Sequence, residues 1–136
     1  MPLWEDRTCV LKRNDDEGTM PLDWSSGALA EGLQCYRNEE FFLAHEHWES
    51  IWLTAEGPEK AFLQALIQIA AAFHHRQRGN PVGAASLLRA AARRLETYPD
   101  RYGDIAVTSL RESIGEWLQA LDRQEIGPHP AFPTIR

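Results

Sequence analysis

The residues best equipped for chemistry stand together in the segment His45-Glu46-His47-Trp48-Glu49-Ser50-Ile51-Trp52. At about 100° per residue of helix, His45, Trp48, Glu49 and Trp52 fall on one side, with Phe41 beside them. An imidazole and a carboxylate one turn apart thus share a face with aromatic side chains, and such a face belongs against a core. A second stripe follows. Gln64, Gln68, Ala71 and His75 recur at i, i+4, i+7 and i+11 and leave a narrow polar arc on an otherwise apolar helix. Burying a polar group without a partner costs on the order of 2–7 kcal/mol. The expectation is therefore that the two stripes face each other and exchange hydrogen bonds, with Glu46 at the edge and water beside Ala71 and Ala72. On that arrangement, replacing Gln68 by Leu strands a polar partner.

Three readings of the pair of stripes follow. Glu49 could hold the His45 ring in one tautomer and raise its basicity, which makes His45 and Glu49 the candidate catalytic couple. His45, Glu49 and His75 could instead offer three ligands to a divalent metal and leave a position open for water. The third reading, which is preferred, is a buried network that fixes helix register and does no chemistry. The segment is not the zinc-protease pattern H-E-x-x-H, because Glu49 stands four residues after His45. It also lacks the E-x-x-H pairs of di-iron bundles, because Phe42 precedes His45 by three and Ala44 precedes His47 by three. No cofactor is expected, and a divalent metal is the one candidate.

These residues must be positioned by helices. Ser25 or Ser26 can cap a first helix to about Arg37, with Leu29, Leu33 and Tyr36 on one stripe. Asn38 is a break before a second helix from Glu39 to about Ala55, ended by Gly57-Pro58. The third, about Pro58 to Arg78, is apolar on nearly every side, which places it at the centre of a bundle. Gly79 stops it, and Asn80-Pro81 opens a fourth helix to about Thr97. After a Tyr98-Pro99-Asp100 turn, a fifth runs from about Asp104 to Gln124, with Ile105, Leu110, Ile114, Trp117, Leu118 and Leu121 inward. No segment alternates with period two for long enough to be a strand. The fold class is all-α, a compact bundle of about five helices over residues 23–126. An irregular acidic arm (residues 1–22) precedes it, and an extended proline-rich tail (residues 127–136) follows.

The order Glu40-Phe41-Phe42, Ala44-His45-Glu46, Trp48-Glu49 and Trp52, then Phe62-Leu63-Gln64-Ala65-Leu66-Ile67-Gln68, then His74-His75, Gly79-Asn80, Gly83-Ala84 and Leu87-Leu88 resembles the domain of unknown function 309 family. The likeness covers roughly residues 30–96. It implies a small all-helical fold built around the second and third helices, with His45, Glu46, Trp48, Glu49, Trp52, Gln64, Gln68 and His75 as the carried-over positions. It implies no activity, since the family has none to transfer.

Composition bounds the rest. A chain of 136 residues with 43% hydrophobic and 25% charged residues is one globular domain with room for a core. No apolar run approaches the roughly 18 residues of a membrane span. Met1 is followed by Pro-Leu-Trp-Glu-Asp, which is not a secretory leader. With Cys9 and Cys35 in no metal-ligand spacing, a cytoplasmic protein is expected. The net charge of −6 disfavours a general nucleic-acid binder. Against it stands a local basic patch of Arg76, Arg78, Arg89, Arg93 and Arg94, which could meet RNA or an acidic partner but reads first as a solvated flank. His47 is expected at the surface, His74 as a packed or helix-terminal residue, and Cys35 as a small buried hydrophobe. The function expected is a binding or assembly module, homo-oligomerisation included. An enzyme using His45 and Glu49 with His75, or a binder acting through the Arg76–Arg94 patch, are the alternatives.

Overall fold

A helix that is apolar all round folds only if other elements enclose it. The computed structural model describes residues 23–123 and 129–135, and its centre is such a helix. The helices are α1 (Gly27–Arg37), α2 (Phe41–Trp52), α3 (Gly57–Gln77), α4 (Pro81–Leu95) and α5 (Val107–Arg123). In α3, Phe62, Leu63, Ala65, Leu66, Ile67, Gln68, Ile69, Ala70, Ala71, Ala72 and Phe73 are all buried, so the whole circumference is covered. The chain order does the covering: α1 pairs with α2, α2 lies on α3, α3 on α4, and α4 on α5.

The reversals follow the punctuation. Between α1 and α2, Asn38 closes α1 and Glu39 takes the left-handed region at φ 64°, unusual for a residue with a side chain. Between α3 and α4, Gly79 adopts φ 79°, where glycine is unstrained, and the Asn80 side chain accepts from the Gly83 N–H at 3.0 Å as the α4 cap. Pro81 then stands at the first helical position.

Three local expectations need correction. Ser26 sits at the N-cap of α1 but makes no side-chain cap bond, because its hydroxyl donates to Asp23 Oδ2 at 3.1 Å. Asp23 gathers both serines, taking the Ser25 hydroxyl at 2.6 Å as well. A two-stranded antiparallel hairpin, β1 (Arg101–Tyr102) and β2 (Ile105–Ala106), also follows the expected turn and takes the place of the expected start of the fifth helix. It is too short to show period-two alternation, and it delays the start of α5 to Val107. Finally, α2 ends at Trp52, short of Ala55. The arm, residues 1–22, lies outside the described residues.

Residues 129–135 form neither helix nor strand, yet they complete the core. Phe132 lies 5.1 Å from Phe41, 5.0 Å from Phe73 and 5.2 Å from Trp117, ring centre to ring centre. A segment without its own ladder leaves carbonyls to be satisfied by others. Tyr36 donates its hydroxyl to the Pro133 carbonyl at 2.6 Å, and Trp117 its indole N–H to the Ala131 carbonyl at 3.0 Å.

The α1–α2 pair closes on Gly32. Trp48, fully buried, donates its indole N–H to the Leu29 carbonyl at 3.2 Å, and a Cβ at Gly32 would be driven into that indole. Gly32→Ala is therefore expected to destabilise the fold by about 1–3 kcal/mol through overpacking, although alanine is the better helix former. Urea denaturation of the two proteins measures it; a stabilised variant would mean that Trp48 moves aside at little cost.

Candidate functional site

The inner side of α2 is as its spacing requires. Phe41, Ala44, His45, Trp48 and Trp52 are buried, and Glu49 is the half-open member, its side chain 23% exposed. The end contacts with α3 set an antiparallel register. At one end Lys60 Nζ sits 4.3 Å above the Trp52 ring. At the other the Phe42 ring lies 5.0 Å from His74. His45 and Glu49, between those ends, thus stand opposite the stretch of α3 from Gln64 to Ala71.

The register also shows which polar residues of α3 take part. With Lys60 and His74 as the ends of the facing stripe, its centre runs near Ile67 and Ala71, and His75 falls about 100° round from His74. His75 is turned to the α3–α4 reversal, its Nδ1 3.3 Å from the Asn80 amide nitrogen. Among the described residues no three His, Cys, Asp or Glu side chains are gathered closely enough to hold a metal ion. His74, expected to be merely packed, is the imidazole beside the pair. Phe42 separates it from His45, at 5.0 Å and 5.2 Å between ring centres. The i, i+4 spacing selected His75; only the crossing of the helices moves the choice to its neighbour.

The His45 ring is held at one nitrogen and faces a carboxylate with the other. Nδ1 lies 3.2 Å from the Phe42 carbonyl, which can only accept, so this contact places a proton on Nδ1. Nε2 points at Glu49 Oε1 from 3.8 Å, longer than a hydrogen bond. The couple therefore presents its carboxylate, and not its imidazole, toward the outside. That geometry suits holding α2 in register better than attacking or deprotonating a substrate.

The glutamines divide. Gln64 is half-buried. Gln68 is 6% exposed, and its Oε1 is buried with no hydrogen-bond partner; the indole N–H of Trp52 is in the same condition. The expected exchange of hydrogen bonds between the stripes does not extend to Gln68 Oε1. Glu46 lies on the exposed side of α2.

Residues 29–87 match a family model. It is the domain of unknown function (DUF309). The DUF309 segment runs from Leu29, whose carbonyl Trp48 holds, to Leu87 on α4, and so contains the whole α2–α3 seam. An uncharacterized protein of Aquifex aeolicus (strain VF5) is 29% identical over 121 residues, 88% of this chain and 35% of that relative. The chain thus spans about a third of the length of the curated relative it matches.

Other polar groups lie away from the seam. His47 pairs with Glu31 at 3.5 Å. Burial first, then the carboxylates of Glu40 and Glu31, push the Cys35 thiol up, the opposite of activation. The arginine patch is dispersed into separate tasks: Arg76 lies over the Trp117 ring at 4.9 Å, Arg89 pairs with Asp122 at 3.3 Å, and Arg94 is half-buried. A groove lined by Tyr36, Arg37, Glu39, Phe132, Pro133 and Ile135 contains none of the candidate residues.

One constellation was missed altogether. Tyr98 donates to the Pro58 carbonyl at 2.8 Å and Tyr102 to Glu59 Oε2 at 3.2 Å, with Phe62 against both rings. Burial, with Glu59 also raising it and Arg94 opposing, pushes the Tyr98 phenol up to about 12. These two tyrosines staple the hairpin to the start of α3. Their separation of four residues was the available signal, hidden by Pro99 between them.

Two measurements follow. Gln68→Met, which keeps the shape and removes the unpartnered carbonyl, is expected to leave stability within about 1 kcal/mol or to raise it. A loss of about 2 kcal/mol or more by chemical denaturation would mean the amide is held after all. The second concerns His74, whose pKa is lowered by burial first and then by Arg78, His75 and His45. The unfolded chain then binds the proton more readily, so stability falls as pH drops from the ordinary value of 6.5 through the depressed folded value. The loss of unfolding free energy between pH 7.5 and pH 5 should shrink in His74→Gln; an unchanged loss would assign it to other groups.

Proposed function

We propose that this chain is a cytoplasmic binding module that needs no cofactor and whose docking face is the outer side of α2. One observation carries the reading. The large hydrophobic side chains exposed among the described residues are Phe42 (45%), Leu43 (45%), Leu53 (52%) and Val82 (80%), and all but Val82 stand on α2 or at its last turn. At about 100° per residue, Phe42, Leu53, Glu46, Ser50 and Leu43 fall within an arc of about 100°, opposite the buried arc of Phe41, Ala44, His45, Trp48 and Trp52.

Single exposed hydrophobics are ordinary, but several on one face mark a surface that associates. Burying a leucine side chain is favourable by about 1.5–3 kcal/mol, so these residues supply affinity only when something covers them. The seam serves the same end. With His45 bound to its own turn and directed at Glu49, and Trp48 clamped to α1, the inner face is held on two sides and the outer face is presented rigidly. Rigid presentation limits the ordering entropy that association must overcome. Self-assembly is one form such a module takes. The acid–base reading has less support, because the imidazole nitrogens of His45 are already directed at a carbonyl and at Glu49.

A photo-crosslinking amino acid placed at Leu43 or at Leu53 is expected to form adducts in cells, while the same group at exposed Gln119 on α5 does not. Phe42→Ser should reduce the adducts at both positions, and exposed-site changes at Leu43 and Leu53 should shift stability by less than about 0.5 kcal/mol. Equal labelling at all three positions would overturn the reading.

A further inference from the structure

The charge on the segment that carries the apolar arc is of one sign. Between Arg37 and Lys60 the chain contains no lysine or arginine, and it carries Glu39, Glu40, Glu46, Glu49, Glu56 and Glu59. Glu39, Glu40, Glu46 and Glu56 are exposed, so carboxylates stand before the arc, within it and after it. Arg37 and Arg78 stand at the Glu39–Glu40 end, and the other two cationic groups nearby are engaged elsewhere. Lys60 covers the Trp52 ring, and His47, on the α1 side, pairs with Glu31. A face whose exposed apolar residues stand among carboxylates repels acidic or phosphate-bearing ligands and attracts the converse pattern.

Resting on the reading of α2 as the docking face, we propose that its occupant is a basic amphipathic segment of a partner protein, with apolar residues at helical spacing flanked by lysine or arginine. The apolar residues of such a segment cover Phe42, Leu43 and Leu53. Its cations reach Glu40 at one end of the arc, Glu46 in the middle and Glu56 at the other end. A helix laid against another helix presents anchors at i, i+3, i+4 and i+7, and such a helix about three turns long spans the distance from Phe42 to Leu53. The apolar contacts set the lifetime of the complex and the carboxylates its rate of formation and choice of partner.

The test uses the full chain and three labelled peptides of equal length. One carries leucines at helical spacing among lysines, the second the same leucines among glutamates, and the third the lysines with serine in place of leucine. Fluorescence anisotropy is read at low and high salt. The lysine–leucine peptide is expected to bind, and Glu40→Gln with Glu46→Gln to weaken it by about tenfold and to flatten its salt dependence. Glu112→Gln with Glu116→Gln on α5 removes the same charge at another exposed site and should change binding by less than about twofold.

Equal effects of the two double variants would overturn the proposal, as would binding of the lysine–serine peptide as tight as that of the lysine–leucine one. Tight binding of the glutamate–leucine peptide that is lost in Leu43→Ser with Leu53→Ser would sink the charge assignment while the docking face stands. Binding of the lysine–leucine peptide that is indifferent to Leu43→Ser with Leu53→Ser would sink the docking face itself. Sedimentation of the chain alone decides the remaining rival: self-association abolished by Glu40→Gln with Glu46→Gln, without peptide binding, would make the occupant a second copy.

Discussion

The constraint on which the molecule depends is that α3 has no side it can show to water. Its buried positions run from Phe62 to Phe73 around the whole circumference, and the formation of each other element removes part of that surface from solvent. Two helical hairpins cover most of it, α1–α2 on one side and α4 with α5 on another. The remainder, around Phe73, is closed by an irregular segment. Phe132 fits between Phe41, Phe73 and Trp117 with each ring centre 5.0–5.2 Å away. A chain without secondary structure can fill that place only because Tyr36 and Trp117 lend it the hydrogen bonds it lacks. Tyr36 is so enclosed there that burial drives its phenol far above its ordinary range.

The polar seam is a consequence of the same constraint. An α2 that covers α3 must turn its inner face away from water, and His45 goes with it. What makes the burial tolerable is local: a carbonyl one turn back, and a glutamate one turn forward at the edge of the interface. Gln68 of α3 lies in the same core without bonding through its Oε1. The burial of His45 fixes the rotation of α2, since turning the helix by one residue so that His45 takes the place of Glu46 would expose the imidazole. Specificity of this kind is a known use of buried polar groups, whereas a net gain in stability is not assured.

Much of this was legible in the residues, and the unread part has physical causes. Five helices, the central place of α3, the Asn80-Pro81 start and the inward faces of α2 and α5 all follow from period and punctuation. So does the burial of His45 between Trp48 and Phe41. Periodicity assigns a residue to a face of its own helix, however, and says nothing of how two helices cross. The substitution of His74 for His75 beside His45 was therefore out of reach. So was the bond from Trp48 to Leu29, which depends on Gly32 letting α1 approach. The hairpin escaped because two residues per strand cannot establish an alternation. The exposed arc of Phe42, Leu43 and Leu53 was hidden for a different reason: in a segment this rich in aromatics, every hydrophobic residue invites assignment to the core.

The two faces of α2 are not independent, because Phe42 belongs to both. Its ring touches His45 and His74 on the seam side while 45% of the residue remains exposed. A partner seated on the outer arc would cover Phe42, whose ring touches His74. Burial is already the leading reason the His74 proton is held weakly, with Arg78, His75 and His45 acting in the same direction. Further enclosure would extend that effect, so the docked state would disfavour protonated His74 more than the free state does. Linkage is reciprocal: protonating His74 would then weaken docking by the same free energy. A segment rich in lysine or arginine would add to the penalty, since its charge and the imidazolium repel one another. In the proposed docking mode, the carboxylates of α2 select the partner and the histidines at its inner edge limit the pH range over which the complex holds.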